Sequence, residues 1–226
     1  MKHSKKFLIL VLLAGAAACT SYAQDRGDDD PKGNVHLAMN VAFPVSPTAQ
    51  YASLGFGLSA GGGYNFNRKN AVLGDFIWNL LPSTSAAVDP LRAALQNGIS
   101  GESQLYTFTG NYRHELRGRR WGVYFLGGGG WYHRNNYLAK PVTSPAGVVC
   151  SKSWLWYGFK CAAGTVTAGQ TVGGIVTNAF GVNGGFGVTA RVGEAPYRLY
   201  VESRYHYAPN KDISTQLVTL SVGIRY

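Results

Sequence analysis

The chain has 226 residues, 46% hydrophobic and 14% charged, with 30 Gly and a formal net charge of +10 at neutral pH. That length suits a single folded unit, and the charged share lies below the roughly 25% usual for a soluble domain. Past the amino terminus no apolar run approaches the roughly 18 residues of a membrane helix. The 14 Tyr, 10 Phe and 5 Trp exceed what disordered chains carry, so either a β-rich soluble fold or a membrane β-barrel remains.

In chain order, Lys2, His3, Lys5 and Lys6 precede an apolar stretch from Phe7 to Ala18 and then Ser21-Tyr22-Ala23. This is the pattern of a cleaved secretory signal over 1–23. Its loss removes three lysines and lowers the formal charge from +10 to about +7. A competing reading, a lipobox at Ala16-Ala17-Ala18-Cys19, departs from that motif at Ala16, where Leu is usual. A short segment, 24–32, leads into the folded part, 33–226.

From there apolar residues recur at every second position, the mark of strands with two unlike faces. Val35, Leu37, Met39, Val41 and Phe43 oppose His36, Ala38, Asn40 and Ala42. Leu54, Phe56, Leu58, Tyr64 and Phe66 oppose Gly55, Gly57, Ser59, Gly61, Gly63 and Asn65. Val72, Phe76, Trp78 and Leu80 oppose Asp75 and Asn79; Tyr106, Phe108, Tyr112 and Leu116 oppose Thr107, Thr109, Asn111, Arg113 and Glu115. Trp121, Val123, Phe125 and Trp131 oppose Gly122, Tyr124, Gly128, Gly130 and Arg134, and Phe180, Val182, Phe186, Val188 and Val192 alternate with Gly181, Asn183, Gly185, Gly187, Thr189 and Arg191. Leu199, Val201, Tyr205 and Tyr207 oppose Arg198, Tyr200, Glu202, Arg204 and His206. Last, Leu220, Val222, Ile224 and Tyr226 oppose Thr219, Ser221, Gly223 and Arg225. About eight strands follow, with charge confined to one face.

The links between them alternate in length. Short turns are predicted at 67–70, 117–120 and 193–196, and long links at 44–53, 82–103, 138–177 and 208–214. Short turns on one side, with both chain ends, and long loops on the other describe an eight-stranded antiparallel up-and-down transmembrane barrel of the outer membrane, both termini periplasmic. A soluble sandwich has no reason to alternate in this way. A soluble barrel of the lipocalin kind would put its apolar face inward, whereas Tyr64, Phe66, Trp78, Tyr106, Trp121, Trp131, Tyr205 and Tyr226 sit near strand ends, where interfacial girdles fall.

Two segments, 199–207 (LYVESRYHY) and 218–226 (VTLSVGIRY), together with Gly61-Gly62-Gly63-Tyr64-Asn65-Phe66 before a tight turn, resemble the bacterial outer membrane β-barrel domain family, with its OmpA/OmpX-like and opacity-type small barrels. The alternating Leu220, Val222, Ile224 and terminal Tyr226 are similar to that family's signal for the outer-membrane assembly machinery, with Tyr in place of the more frequent Phe. The resemblance implies a monomer in contact with outer-membrane lipid and lipopolysaccharide, with surface ligands met through the loops.

Asp75, Glu115 and Glu202 against Arg113, Arg134, Arg191, Arg198, Arg204 and Arg225 form the candidate lumen charge network, since side chains fill a small barrel and buried charges need partners. Two further readings are a narrow, weakly anion-selective channel, from the excess of arginine, and a lipid A-modifying enzyme. The enzyme reading lacks a constellation: His206 is followed by Ala208 where a serine would be sought, His114 and His133 fall on the lipid face, and Ser203 has no neighbouring base. Gly127 to Gly130 read as close packing beside Gly184 and Gly185 rather than a phosphate loop, because no helix follows. No catalytic residue, cofactor or metal is expected. Cys150 and Cys161 remain after the signal is cleaved and are expected to pair as a disulfide in the long outer loop, with no histidine at zinc-ligand spacing. The basic surplus, with Arg117, Arg119 and Arg120 clustered in one turn, points to lipid A phosphates rather than nucleic acid.

Overall fold

The computed structural model describes residues 32–89, 100–118, 120–152, 159–193, 195–211 and 213–226, with only the backbone described over 140–152 and 159–172. Eight strands, β1 (Gly33–Pro44), β2 (Gly55–Asn65), β3 (Asn70–Pro82), β4 (Ser100–Arg117), β5 (Trp121–Lys152), β6 (Phe159–Arg191), β7 (Arg198–Ala208) and β8 (Thr215–Arg225), run in chain order around a closed barrel. Every neighbouring pair is antiparallel, and β1 closes on β8 through Met39 opposite Val222 and Val41 opposite Leu220. Closure leaves no strand edge unpaired inside the barrel.

The period-2 pattern dictates which way each side chain points. His36, Asp75, Asn111, Arg113, Glu115, Glu202, Arg204 and Arg225 are buried in the lumen, while the outer wall carries exposed apolar groups such as Met39 (72% exposed), Trp121 (65%) and Phe180 (80%). Each predicted face is found on the side its sequence pattern assigns. The polar inside and apolar outside invert the ordinary soluble arrangement, and an exposed apolar surface this continuous requires a nonaqueous neighbour. Rings pack in a row across β3, β4 and β5 on that wall: Phe76 lies 4.8 Å from Phe108 in a tilted pair, and Phe108 lies 5.7 Å from Trp131 in a stacked one, between ring centroids.

The short turns between β2 and β3, β4 and β5, and β6 and β7 all lie at one end, with the amino end of β1 and the carboxyl end of β8. At the other end the long links differ from expectation in one place. Residues 138–177 were expected to form a loop, yet β5 and β6 stay paired from Trp121 opposite Ala190 out to Lys152 opposite Phe159, with register shifts at Leu138/Ala139 and Ser144/Gly147. The ladder therefore runs past the barrel as a two-stranded ribbon. Over 138–177 the sequence carries no sustained apolar alternation, so parity did not reveal these strands.

Candidate functional site

The lumen brings the predicted charges together at two levels. Arg204 on β7 reaches Asp75 on β3, with its Nη1 donating to Asp75 Oδ2 at 2.7 Å. β3 and β7 stand four strands apart either way around the ring, so this one pair crosses the full width of the barrel. The same guanidinium donates through Nε to Glu202 Oε1 at 2.9 Å. Asp75 also accepts from Asn111 Nδ2 at 2.8 Å and lies 3.3 Å from His36 Nε2, and Tyr124 donates its hydroxyl to Glu202 Oε2 at 2.9 Å.

Nearer the short turns a second pair spans the ring. Arg225 on β8 donates through Nη1 to Glu115 Oε2 on β4 at 3.3 Å, again between strands four apart. Its guanidinium lies 4.5 Å from the ring centroid of Tyr124 and 5.1 Å from that of Tyr200, close enough for cation–π attraction. Glu115 also accepts from Arg117 Nη2 at 3.2 Å and Thr189 Oγ1 at 3.1 Å, with Arg113 Nε at 3.7 Å. Small residues make room for these groups: a side chain at Gly61 would collide with His36 and Asp75, and one at Gly187 with the Tyr124 ring.

Toward the long links the contents change. His206 sits between the Tyr132 hydroxyl, 3.0 Å from Nδ1, and Thr219 Oγ1, 3.3 Å from Nε2. Beyond it Ala42, Ala52, Leu81, Leu105, Tyr132, Ala208 and Leu217 pack as an apolar cluster. The sequence reading missed this cap. Its signal was present, because Leu81 and Leu105 share the parity of Asp75 and Thr107 and so had to face inward.

Three of the predicted arginines stand apart from the buried network. Arg191 is exposed at the short-turn end, while Arg134 and Arg198 are half-buried; Arg134 Nη1 donates to Thr215 Oγ1 at 3.1 Å near the long links. Among the described residues the fully buried charges are therefore Asp75, Glu115 and Glu202 against Arg113, Arg204 and Arg225. The surplus of arginine over acid lies in Arg134, Arg191 and Arg198, outside the fully buried set.

Among the described residues the histidines are not brought to Ser203. His114 Nδ1 lies 2.8 Å from Asn70 Oδ1 and His133 Nδ1 lies 2.7 Å from Asn178 Oδ1, both on the outer face. Ser203 shares the outward parity of Val201 and Tyr205, on the opposite side of β7 from His206. Gly127 pairs with Gly184 and Gly128 with Asn183 in an unbroken ladder, as close packing requires. No cluster of potential metal ligands is found among the described residues, and no helix among them is long and apolar enough to cross a membrane. Cys150 and Cys161 stand directly opposite each other in the β5–β6 register. Residues 1–31 and Arg119 lie outside the described residues.

No protein-family model and no curated protein sequence matches the chain. Solved structures do. Neisserial surface protein A is 13% identical with a TM-score of 0.50, over 86% of this chain and 96% of that one. The attachment invasion locus protein Ail of Yersinia pestis is 13% identical with a TM-score of 0.47, over 86% and 97%. The N-terminal β-barrel domain of Pseudomonas aeruginosa OprF is 11% identical with a TM-score of 0.42, over 86% and 98%. The chain thus has the closed eight-stranded up-and-down fold of the small outer-membrane barrels, in agreement with the resemblance at its carboxyl end.

Proposed function

We propose that this protein is a small non-enzymatic barrel of the bacterial outer membrane, with a plugged lumen, that serves envelope integrity or surface interaction through its long loops. The observation that carries the reading is the inversion of the barrel: ion pairs inside, and an exposed belt of Leu, Val, Phe and Trp outside. Short turns and both ends of the barrel face the periplasm, and the long links face outward, because a surface ligand needs the longer, more variable segments. Residues 1–23 act as the cleaved signal and 24–32 as a periplasmic lead, and the strand Leu220, Val222, Ile224, Tyr226 addresses the assembly machinery. The barrel works as a monomer, surrounded by lipid and lipopolysaccharide.

Cys150 and Cys161 form a disulfide across the β5–β6 ribbon, a position supported by their facing register and by the oxidising compartment. On this orientation Arg117 and Arg120 lie at the periplasmic rim, so their phosphate partner belongs to the inner leaflet or periplasm rather than to lipid A. The channel reading is second to this one, because Arg204–Asp75 and Arg225–Glu115 cross the full bore. Heat-modifiable migration on a gel combined with membrane fractionation tests the reading. A shifted band in the outer-membrane fraction is expected, and a soluble protein of unchanging mobility would overturn it.

A further inference from the structure

Among the described residues, the short-turn mouth of the lumen holds more arginines than acids. Arg191 pairs with Arg198 in register, and Arg198 pairs with Arg225, so three adjacent strands carry arginine side by side. Like charges directly opposite one another destabilise a sheet. Arg113 and Arg117 add to the same end from β4, where Arg113, Arg117 and Arg225 all lie against Glu115. Arg198 lies within electrostatic range of Arg117, Arg191 and Arg225, with Glu115 as the opposing charge.

Several N–H groups here make no hydrogen bond among the described residues, Arg113 Nε lying 3.7 Å from Glu115 Oε2. Arg113, 2% exposed, has Nε and Nη1 without a hydrogen-bond partner; Arg225, 5% exposed, has Nε; and Arg198 has Nη1. Desolvated guanidinium donors without acceptors are costly, and several guanidinium groups converging from different strands suit an oxyanion such as phosphate, which can accept from more than one fork at once. Tyr124 and Tyr200 flank Arg225 and hold its plane in place.

We propose that Arg113, Arg198 and Arg225 bind a phosphate-class oxyanion at this mouth, beside the Glu115 that orients Arg225. The site deepens the reading of a plugged outer-membrane barrel and rests on it for the side of the membrane it faces. The phosphate comes either from an anionic glycerophospholipid headgroup at the rim or from free periplasmic phosphate.

The test is calorimetric titration of inorganic phosphate into the full-length chain folded in uncharged detergent, with chloride held constant. Saturable binding is expected, weakened about tenfold by Arg198→Gln and by Arg225→Gln, the loss of one charge-assisted donor. Arg134→Gln, at the opposite mouth, should leave it unchanged. Gel mobility before heating establishes that each variant is folded; if Arg225→Gln is not, Arg198→Gln on the half-buried rim decides alone. In phosphatidylcholine vesicles, added phosphatidylglycerol should compete with phosphate if the headgroup is the ligand and leave it untouched if free phosphate is. Absence of binding by a folded barrel, or equal binding by all variants, would overturn the site and leave the barrel reading standing. A wild-type chain without heat-modifiable mobility would overturn both.

Discussion

Toward the short turns the bore is crossed by Arg225–Glu115 and Arg204–Asp75, whereas toward the long links Leu81, Leu105, Tyr132 and Leu217 fill the same cross-section without charge. The two regions pack the bore by different physics. An ion pair across a desolvated lumen is directional and fails badly when one partner is lost, because the other remains buried and uncompensated. An apolar cap has no such partner to strand, and its loss is graded by the volume removed. The ionic half therefore ties opposite walls together through paired charges, and the cap packs the end of the bore beside the long links with apolar groups.

Removing Arg204 should separate the two most sharply. Arg204→Met strands both Asp75 and Glu202, and a loss of about 3 to 5 kcal/mol is expected, read as the urea midpoint of the barrel in detergent. Leu105→Ala in the cap should cost about 2 to 3 kcal/mol, because a site near the mouth collapses or hydrates in part. A cap variant that equals or exceeds the Arg204 variant would reverse the ranking of the two regions.

Glu202→Gln is milder, since Arg204 keeps Asp75 and the new amide still accepts from Tyr124. About 1.5 kcal/mol is expected from the lost charge on the hydrogen bond, with a higher frequency of brief openings in a bilayer recording. The ribbon outside the barrel should be nearly uncoupled from both regions. Reducing a Cys150–Cys161 link would release about 2 to 3 kcal/mol of loop ordering, with the barrel's urea midpoint unmoved; mass spectrometry of unreduced peptides shows the link directly, and free thiols on both would refute it.

The contrast between the regions also explains what could be read before the fold was in hand. Strand faces followed from parity alone, because a lipid-facing wall admits no charge and a one-residue slip would invert every side chain. Asp75, Glu202 and Arg204 stood out for the same reason. Leu81 and Leu105 did not, since an apolar residue on the polar face of a strand looks like noise until closure brings Leu217 against it. The partners that complete the network, His36, Asn111 and Tyr200, lie far from their neighbours in sequence, and the pairing of β3 with β7 across the bore is a property of the closed ring. Arg191 and Arg198 were grouped as lumen charges by parity, but their position along the strands, toward the mouth and outside the buried network, depended on register.

Single-channel recording of the unmodified protein in a planar bilayer tests the plugged lumen most directly. With both diametral ion pairs in place the expected trace is silent apart from small, infrequent openings, whose selectivity reflects the arginines of the mouths because the buried charges balance. Large, steady currents from the unmodified protein would contradict the closure of the bore by Arg204 and Arg225.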